Sequence, residues 1–228
     1  MSEPTVAILE GNTFVVSDRH GDIESSPRDT HGLFADDTRF LSRWVLTLDG
    51  RRPTLLSTHD VEHYESRFFL AAASGTIYAD ADLSLMRKRT VGRGFSEQIV
   101  LTSHAPILRD HELVLEAGAD FVDLFEIKDW LSKKGRYYRL TERGALVFGY
   151  RRDHYVCETR ISTAGAVIEE SRLRFAVRLA PRGEWRTSID VSICSPAAPA
   201  NLTGRSETAS AVRRATAEQV LAGSPRVR

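Results

Sequence analysis

Between Arg172 and Cys194 the chain alternates apolar and polar residues, and this period of two limits its folding more than any other feature. Leu173, Phe175, Val177 and Leu179 alternate with Arg172, Arg174, Ala176 and Arg178. A helix would spread such residues around its circumference, whereas a strand gathers all four apolar ones on one face. After Pro181-Arg182-Gly183 the alternation resumes, with Trp185, Thr187, Ile189, Val191 and Ile193 on one side. The two segments read as an antiparallel hairpin with one wet face.

The same period marks strands upstream. Trp44, Leu46 and Leu48 run up to Asp49-Gly50, a tight-turn dipeptide. Further strands are expected over Arg67 to Leu70, Thr76 to Asp80, Asp82 to Val91, Phe95 to Thr102 and His111 to Ala117, and then over Tyr137 to Leu140, Ala145 to Tyr150 and Tyr155 to Ile161. Phe95, Ile99 and Leu101 are placed on one face. No repeat of fixed period and no strand–helix alternation is visible, which argues against a nucleotide-binding parallel sheet. The predicted fold is all-β and mainly antiparallel, a large two-sheet, supersandwich-like β sandwich over 1–194. Residues 195–228 then form a Pro/Ala-rich linker and a short C-terminal helix, capped by Ser206 and running from about Glu207 to Leu221.

Composition excludes several functions. Lys plus Arg total 31 and Asp plus Glu total 31, so no net charge draws the chain to nucleic acid or an anionic membrane. No apolar run reaches the roughly 20 residues of a membrane helix. Met1-Ser2-Glu3-Pro4-Thr5 has no secretion-signal pattern, so a cytoplasmic location is expected, with Cys157 and Cys194 as buried free thiols. No Walker loop, Gly-x-Ser-x-Gly elbow or His-Glu-x-x-His helix is present, and neither a cofactor nor a metal is expected. His59 and His63 have metal-ligand spacing only if helical, and a surface pair is the reading preferred here.

Two polar segments carry the candidate chemistry. In His31-Gly32-Leu33-Phe34-Ala35-Asp36-Asp37-Thr38-Arg39-Phe40-Leu41, two acids, a hydroxyl and an arginine sit between apolar anchors without periodicity. Asp36, Asp37 and Arg39 could contact sugar hydroxyls, or an Asp–Arg network could organise the loop itself. In Asp120 to Trp130 the acids Asp120, Asp123, Glu126 and Asp129 recur every third residue among aromatics. Asp120, Asp123, Phe125 and Glu126 are candidate substrate contacts, since carboxylates beside aromatic faces suit carbohydrate. The other reading is an irregular crossing with exposed acids and buried rings.

Val6 to Asp18, Gly21-Asp22-Ile23, His31 to Ser42, Ala119-Asp120-Phe121, Asp123 to Glu126 and Gly149-Tyr150-Arg151-Arg152 together resemble, in colinear order over about residues 6 to 194, the N-terminal domain of bacterial and archaeal glycogen debranching enzymes of the amylo-α-1,6-glucosidase type. The resemblance implies a β sandwich that precedes an (α/α)6 barrel, the barrel carrying the glucosidase acid and base. The sandwich would pack against that barrel and help shape the glucan cleft. No barrel sequence follows the linker, so the expected role is non-catalytic, with an α-glucan and a barrel domain or protein as partners. A free-standing glucan-binding module is the alternative. An autonomous glycosidase using Asp120, Asp123 or Glu126 is the third.

Overall fold

The computed structural model describes residues 4–26, 30–72, 82–123 and 135–195. These contain strands and no helix. All lie in a compact unit spanning Met1–Ala198, while the second unit, Pro199–Arg228, is outside the described residues. So are the expected strand over Thr76 to Asp80 and the expected helix after Ser206.

The largest sheet has eight strands. It is built from β7 (Thr54–Glu62), β8 (Glu65–Ala72), β9 (Leu83–Gly92), β10 (Gly94–Ser103), β12 (Arg136–Glu142), β13 (Ala145–Arg152), β14 (Tyr155–Thr163) and β17 (Glu184–Cys194). Their order is β12-β13-β14-β17-β10-β9-β8-β7, all antiparallel. A five-stranded sheet joins β15 (Val167–Glu169), β16 (Arg172–Leu179), β11 (Arg109–Gly118), β6 (Arg43–Leu48) and β3 (Ile23–Glu24). The inner faces of the two meet in one core, where Trp44 packs edge-on to Phe95 and Phe175 to Trp185. A four-stranded sheet of β1 (Val6–Glu10), β2 (Thr13–Ser17), β4 (Gly32–Ala35) and β5 (Thr38–Leu41) adds Ile8, Val15, Leu33 and Phe40 to that core.

The expected hairpin between Arg172 and Cys194 does not form. β16 pairs with β11 and β15, and β17 pairs with β10 and β14, in the opposite sheet. Each segment does bury the face the alternation assigned to it. Period two identifies the buried face and leaves the hydrogen-bonding neighbour open. Here Pro181-Arg182-Gly183 is an arch, with Arg182 at φ 54° and the Gly183 amide donating to the Ala180 carbonyl at 2.9 Å. The two apolar faces therefore meet across the core. A second correction concerns the thiols: Cys157 is buried, but Cys194 is exposed at the end of β17. Asp49-Gly50 does turn the chain as expected, both residues having positive φ.

The core also contains a charged group. Leu83, Leu85, Arg87, Arg89 and Val91 share one face of β9, and Phe95, Glu97, Ile99 and Leu101 share the facing side of β10. Arg87, Arg89 and Glu97 are all 0% exposed. The Glu97 carboxylate accepts from Arg87 Nε at 2.8 Å, Arg89 Nε at 2.7 Å and Trp44 Nε1 at 3.3 Å. Arg87 also donates to buried Asp22 at 2.6 Å, and Arg89 to the Gly21 carbonyl at 2.6 Å. The Arg89 guanidinium lies over Phe95, 4.8 Å from the ring centroid. Two cations are thus balanced by two anions, which is what burial of charge requires. Desolvation opposes the charge on Glu97, but the two guanidinium groups outweigh it and hold its pKa below the ordinary value.

This group also explains the stretch from Asp18 to Asp22. The Asp18 carboxylate accepts the amides of His20 and Asp22, both at 2.8 Å. Gly21 has φ 83°, and a Cβ there would strike the Phe68 ring. The loop folds as a lid over the buried arginines, its acid and carbonyls facing inward.

Candidate functional site

The first polar segment is a hairpin rather than a loop. β4 and β5 are buried on both faces, so their sequence shows no alternation. Ala35 pairs with Thr38, leaving Asp36 and Asp37 as a two-residue connection with φ of 44° and 63°. A primed turn needs positive φ at both central positions, and aspartate tolerates it. Asp36 and Asp37 are therefore exposed turn formers at the hairpin tip.

Arg39 points the other way and is buried. Its guanidinium grips Asp120 with two prongs, Nε to Oδ1 at 3.1 Å and Nη2 to Oδ2 at 2.6 Å. Such paired bonds fix orientation as well as adding energy. Nη1 reaches the His31 carbonyl at 3.5 Å. Gly32 makes room for the arginine stem: a Cβ there would lie 2.6 Å from Arg39 Cδ. The Arg39 amide donates to the Val122 carbonyl at 2.8 Å, and Asp123 bridges Thr38. The structure thus brings the two polar segments together through Arg39, Asp120 and Asp123. Phe125 and Glu126 lie outside the described residues.

Between Asp120 and Val122 the chain turns at Phe121, which has φ 51°. A phenylalanine in this region is strained, and packing must hold it there. Its buried ring meets Phe40 edge-on at 5.9 Å and stacks on Tyr150 at 6.4 Å. Tyr150 continues outward to Tyr137 at 5.1 Å and Tyr155 at 6.4 Å. Tyr137 is 51% exposed and Tyr155 39%. An aromatic row therefore runs from the core to the surface, ending beside Asp120, whose backbone carbonyl accepts the Tyr137 hydroxyl at 3.1 Å. Desolvation, then a hydrogen bond with Cys157, pushes the Tyr155 phenol up to about 12, so it stays protonated at neutral pH. The hairpin is held to β14 by Thr159, whose hydroxyl donates to the Phe40 carbonyl at 2.5 Å.

Tyr137, Tyr150 and Tyr155 were not among the sequence candidates. Their signal was available: residues 137, 150 and 157 fall on one face of three consecutive strands, with Tyr155 two positions before 157. Both oxygens of Asp120 are occupied by Arg39, so this acid organises the loop. The rings are inclined to one another, Tyr137 at 56° and Tyr155 at 69° to Tyr150, so Tyr137 and Tyr155 bring apolar faces and hydroxyl edges to the surface at different angles. His59 and His63 lie in a strand and a turn, not on a helix, and no cluster of metal-ligating side chains occurs among the described residues.

No curated protein matches the chain in sequence. In fold it is similar to a proposed kojibiose phosphorylase from the human microbiome, with TM-score 0.46, 10% identity and 86% of this chain covered. It spans 27% of the length of that protein. A galactose mutarotase-like protein from Clostridium acetobutylicum gives TM-score 0.44 and 5% identity, over 84% of this chain and 95% of the other. The model of the N-terminal domain of (some) glycogen debranching enzymes matches residues 8–190, and the chain belongs to that family.

Proposed function

We propose that this chain is the non-catalytic sandwich of a glycogen-debranching system, which packs against a helical-barrel glucosidase domain and presents a glucan-contacting shelf beside its cleft. The observation that carries this reading is the row Phe121–Tyr150–Tyr137/Tyr155, opening to solvent where Arg39, Asp120 and Asp123 meet. Family membership supplies the system, and the exposed tyrosine rings supply the contact. Stacking of sugar on aromatic faces is sequence-cheap and tolerant of linkage, which suits a surface that guides a branched polymer.

Titration of the 15N-labelled chain with maltoheptaose tests it. Shifts should cluster at Tyr137, Tyr155 and residues 120–123, and Tyr137→Ala with Tyr155→Ala should weaken binding at least ten-fold. Shifts confined to another face, or no saturable change at millimolar sugar, would sink the shelf. The barrel partnership has its own test. The chain should co-purify with an (α/α)6 barrel glucosidase from the same genome, and dissociated species with every such barrel would remove that half of the proposal.

A further inference from the structure

The outer face of β12, β13 and β14 carries a feature the glucan shelf does not use. Arg136 and Arg151 are directly opposite each other on adjacent antiparallel strands. Like charges in that position repel. Arg43, Arg109, Arg160 and Arg174, by contrast, each pair with a carboxylate. Among the described residues no ion pair joins Arg136 or Arg151 to an acid. Both line a groove of about 440 Å³ with Tyr137, Tyr138, Val156 and Glu158. They also line the adjoining depression of about 350 Å³, where Arg152 and Asp153 join them.

The floor of the groove is built. Tyr138, Gly149 and Glu158 form one row across the three strands. The Tyr138 ring lies flat on the bare backbone of Gly149, where a Cβ would collide with it. Its hydroxyl donates to Glu158 Oε1 at 2.5 Å. The Glu158 carboxylate in the groove is therefore already engaged, and the ring orientation is fixed.

We propose that Arg136 and Arg151 form a binding site for a phosphoryl group, with Tyr138 as the floor for a ring that carries it. Two guanidinium forks approaching from neighbouring strands match a tetrahedral group with three acceptor oxygens; one fork alone would satisfy a carboxylate. The ligand class is free phosphate or the phosphate monoester of a sugar-sized ring. Arg136, Arg151 and Tyr138 alternate in register with Tyr137, Tyr150 and Cys157, so they lie on the other face of these strands; Tyr137 borders both the groove and the shelf.

Calorimetric titration of the whole chain with inorganic phosphate, glucose 6-phosphate and glucose, at ionic strength fixed with chloride, tests it. Glucose 6-phosphate should bind at least ten-fold more tightly than glucose. Arg136→Gln and Arg151→Gln should each weaken it at least ten-fold, while Arg143→Gln, in the exposed turn of the same hairpin, should not. Inorganic phosphate binding as tightly as the ester assigns the free anion. A tighter ester, whose advantage is lost in Tyr138→Leu, assigns the sugar phosphate. Phosphate-bearing probes no tighter than glucose, or undiminished in the Arg136→Gln/Arg151→Gln double variant, would overturn the site. In phosphate-free buffer Arg151→Gln should melt no lower than the parent; a lower melting temperature would show that the arginines do not repel and would also overturn it. Maltoheptaose binding in the double variant should stay at the parent level, which separates failure here from failure of the shelf.

Discussion

Glu97→Gln removes one charge from the core while keeping the shape of the side chain. In the parent, Glu97 receives Arg87, Arg89 and Trp44, and no atom of it reaches solvent. After the substitution Arg87 keeps Asp22, but Arg89 is left with the Gly21 carbonyl and the rings of Phe68 and Phe95. One buried guanidinium is then uncompensated. A unit pair at about 4 Å is worth roughly 4 kcal/mol at an effective dielectric near 20. Breaking a buried pair by removing one partner costs about 3–5 kcal/mol. A domain near 190 residues loses about 2–4 °C per kcal/mol, so the melting temperature should fall by roughly 6–20 °C. Differential scanning calorimetry and urea unfolding at pH 7 measure this. The double variant Glu97→Gln/Arg89→Met removes the stranded cation and should recover most of the loss, with a coupling of about 2 kcal/mol or more. A Glu97→Gln loss under about 1 kcal/mol, or a double variant no better than the single, would refute the view that charge balance holds this core.

Three further outcomes follow from the same structure. Glu97 has a folded pKa below its unfolded one, so its contribution is complete above the unfolded value near 4.5 and is lost as pH falls through the folded value; acid unfolding should be blunted in Glu97→Gln relative to the parent. Tyr138 and Tyr155 are both pushed up to about 12, from burial first and then from hydrogen bonds to Glu158 and Cys157, so phenolate absorbance should show two late-titrating tyrosines. Because those pKa values are raised, their contribution is present below pH 10 and lost as pH rises toward 12; coincident titration of all tyrosines near 10 would contradict it. Asp120→Asn should destabilise by about 1–3 kcal/mol in urea unfolding, since Arg39 stays buried while Asp120 is partly solvated.

The architecture was legible where one face of a strand is wet. β9, β16 and β17 alternate because their outer residues meet solvent, and each was placed correctly. β4 and β5 were not legible, because burial on both faces removes the polar half of the pattern. The partnering of β16 and β17 was not legible either, since an arch between sheets and a turn within one can have the same local sequence. Arg87, Arg89 and Glu97 fall in phase with the apolar residues of β9 and β10, although alternation of apolar residues does not by itself mark a charged residue as buried. Glu97 is directly opposite Arg89 in the register, so the pairing was recoverable from the Gly92-Arg93-Gly94 turn alone.

The candidate site divides along the same line. Asp36 and Asp37 stood out because they are polar and adjacent, and that is what a primed turn demands of its central residues. Arg39 and Asp120 stood out as separate features 81 positions apart, and the structure joins them in one fork. Their pairing makes the polar segments a brace. What the brace holds in place is Phe121, in a strained conformation, and through it the row of rings that reaches solvent at Tyr137 and Tyr155. Polar residues chosen for their chemistry thus set the geometry. Tyrosines placed by strand register present the surface, so mutations that test binding belong on Tyr137 and Tyr155, and mutations that test the scaffold belong on Arg39 and Asp120.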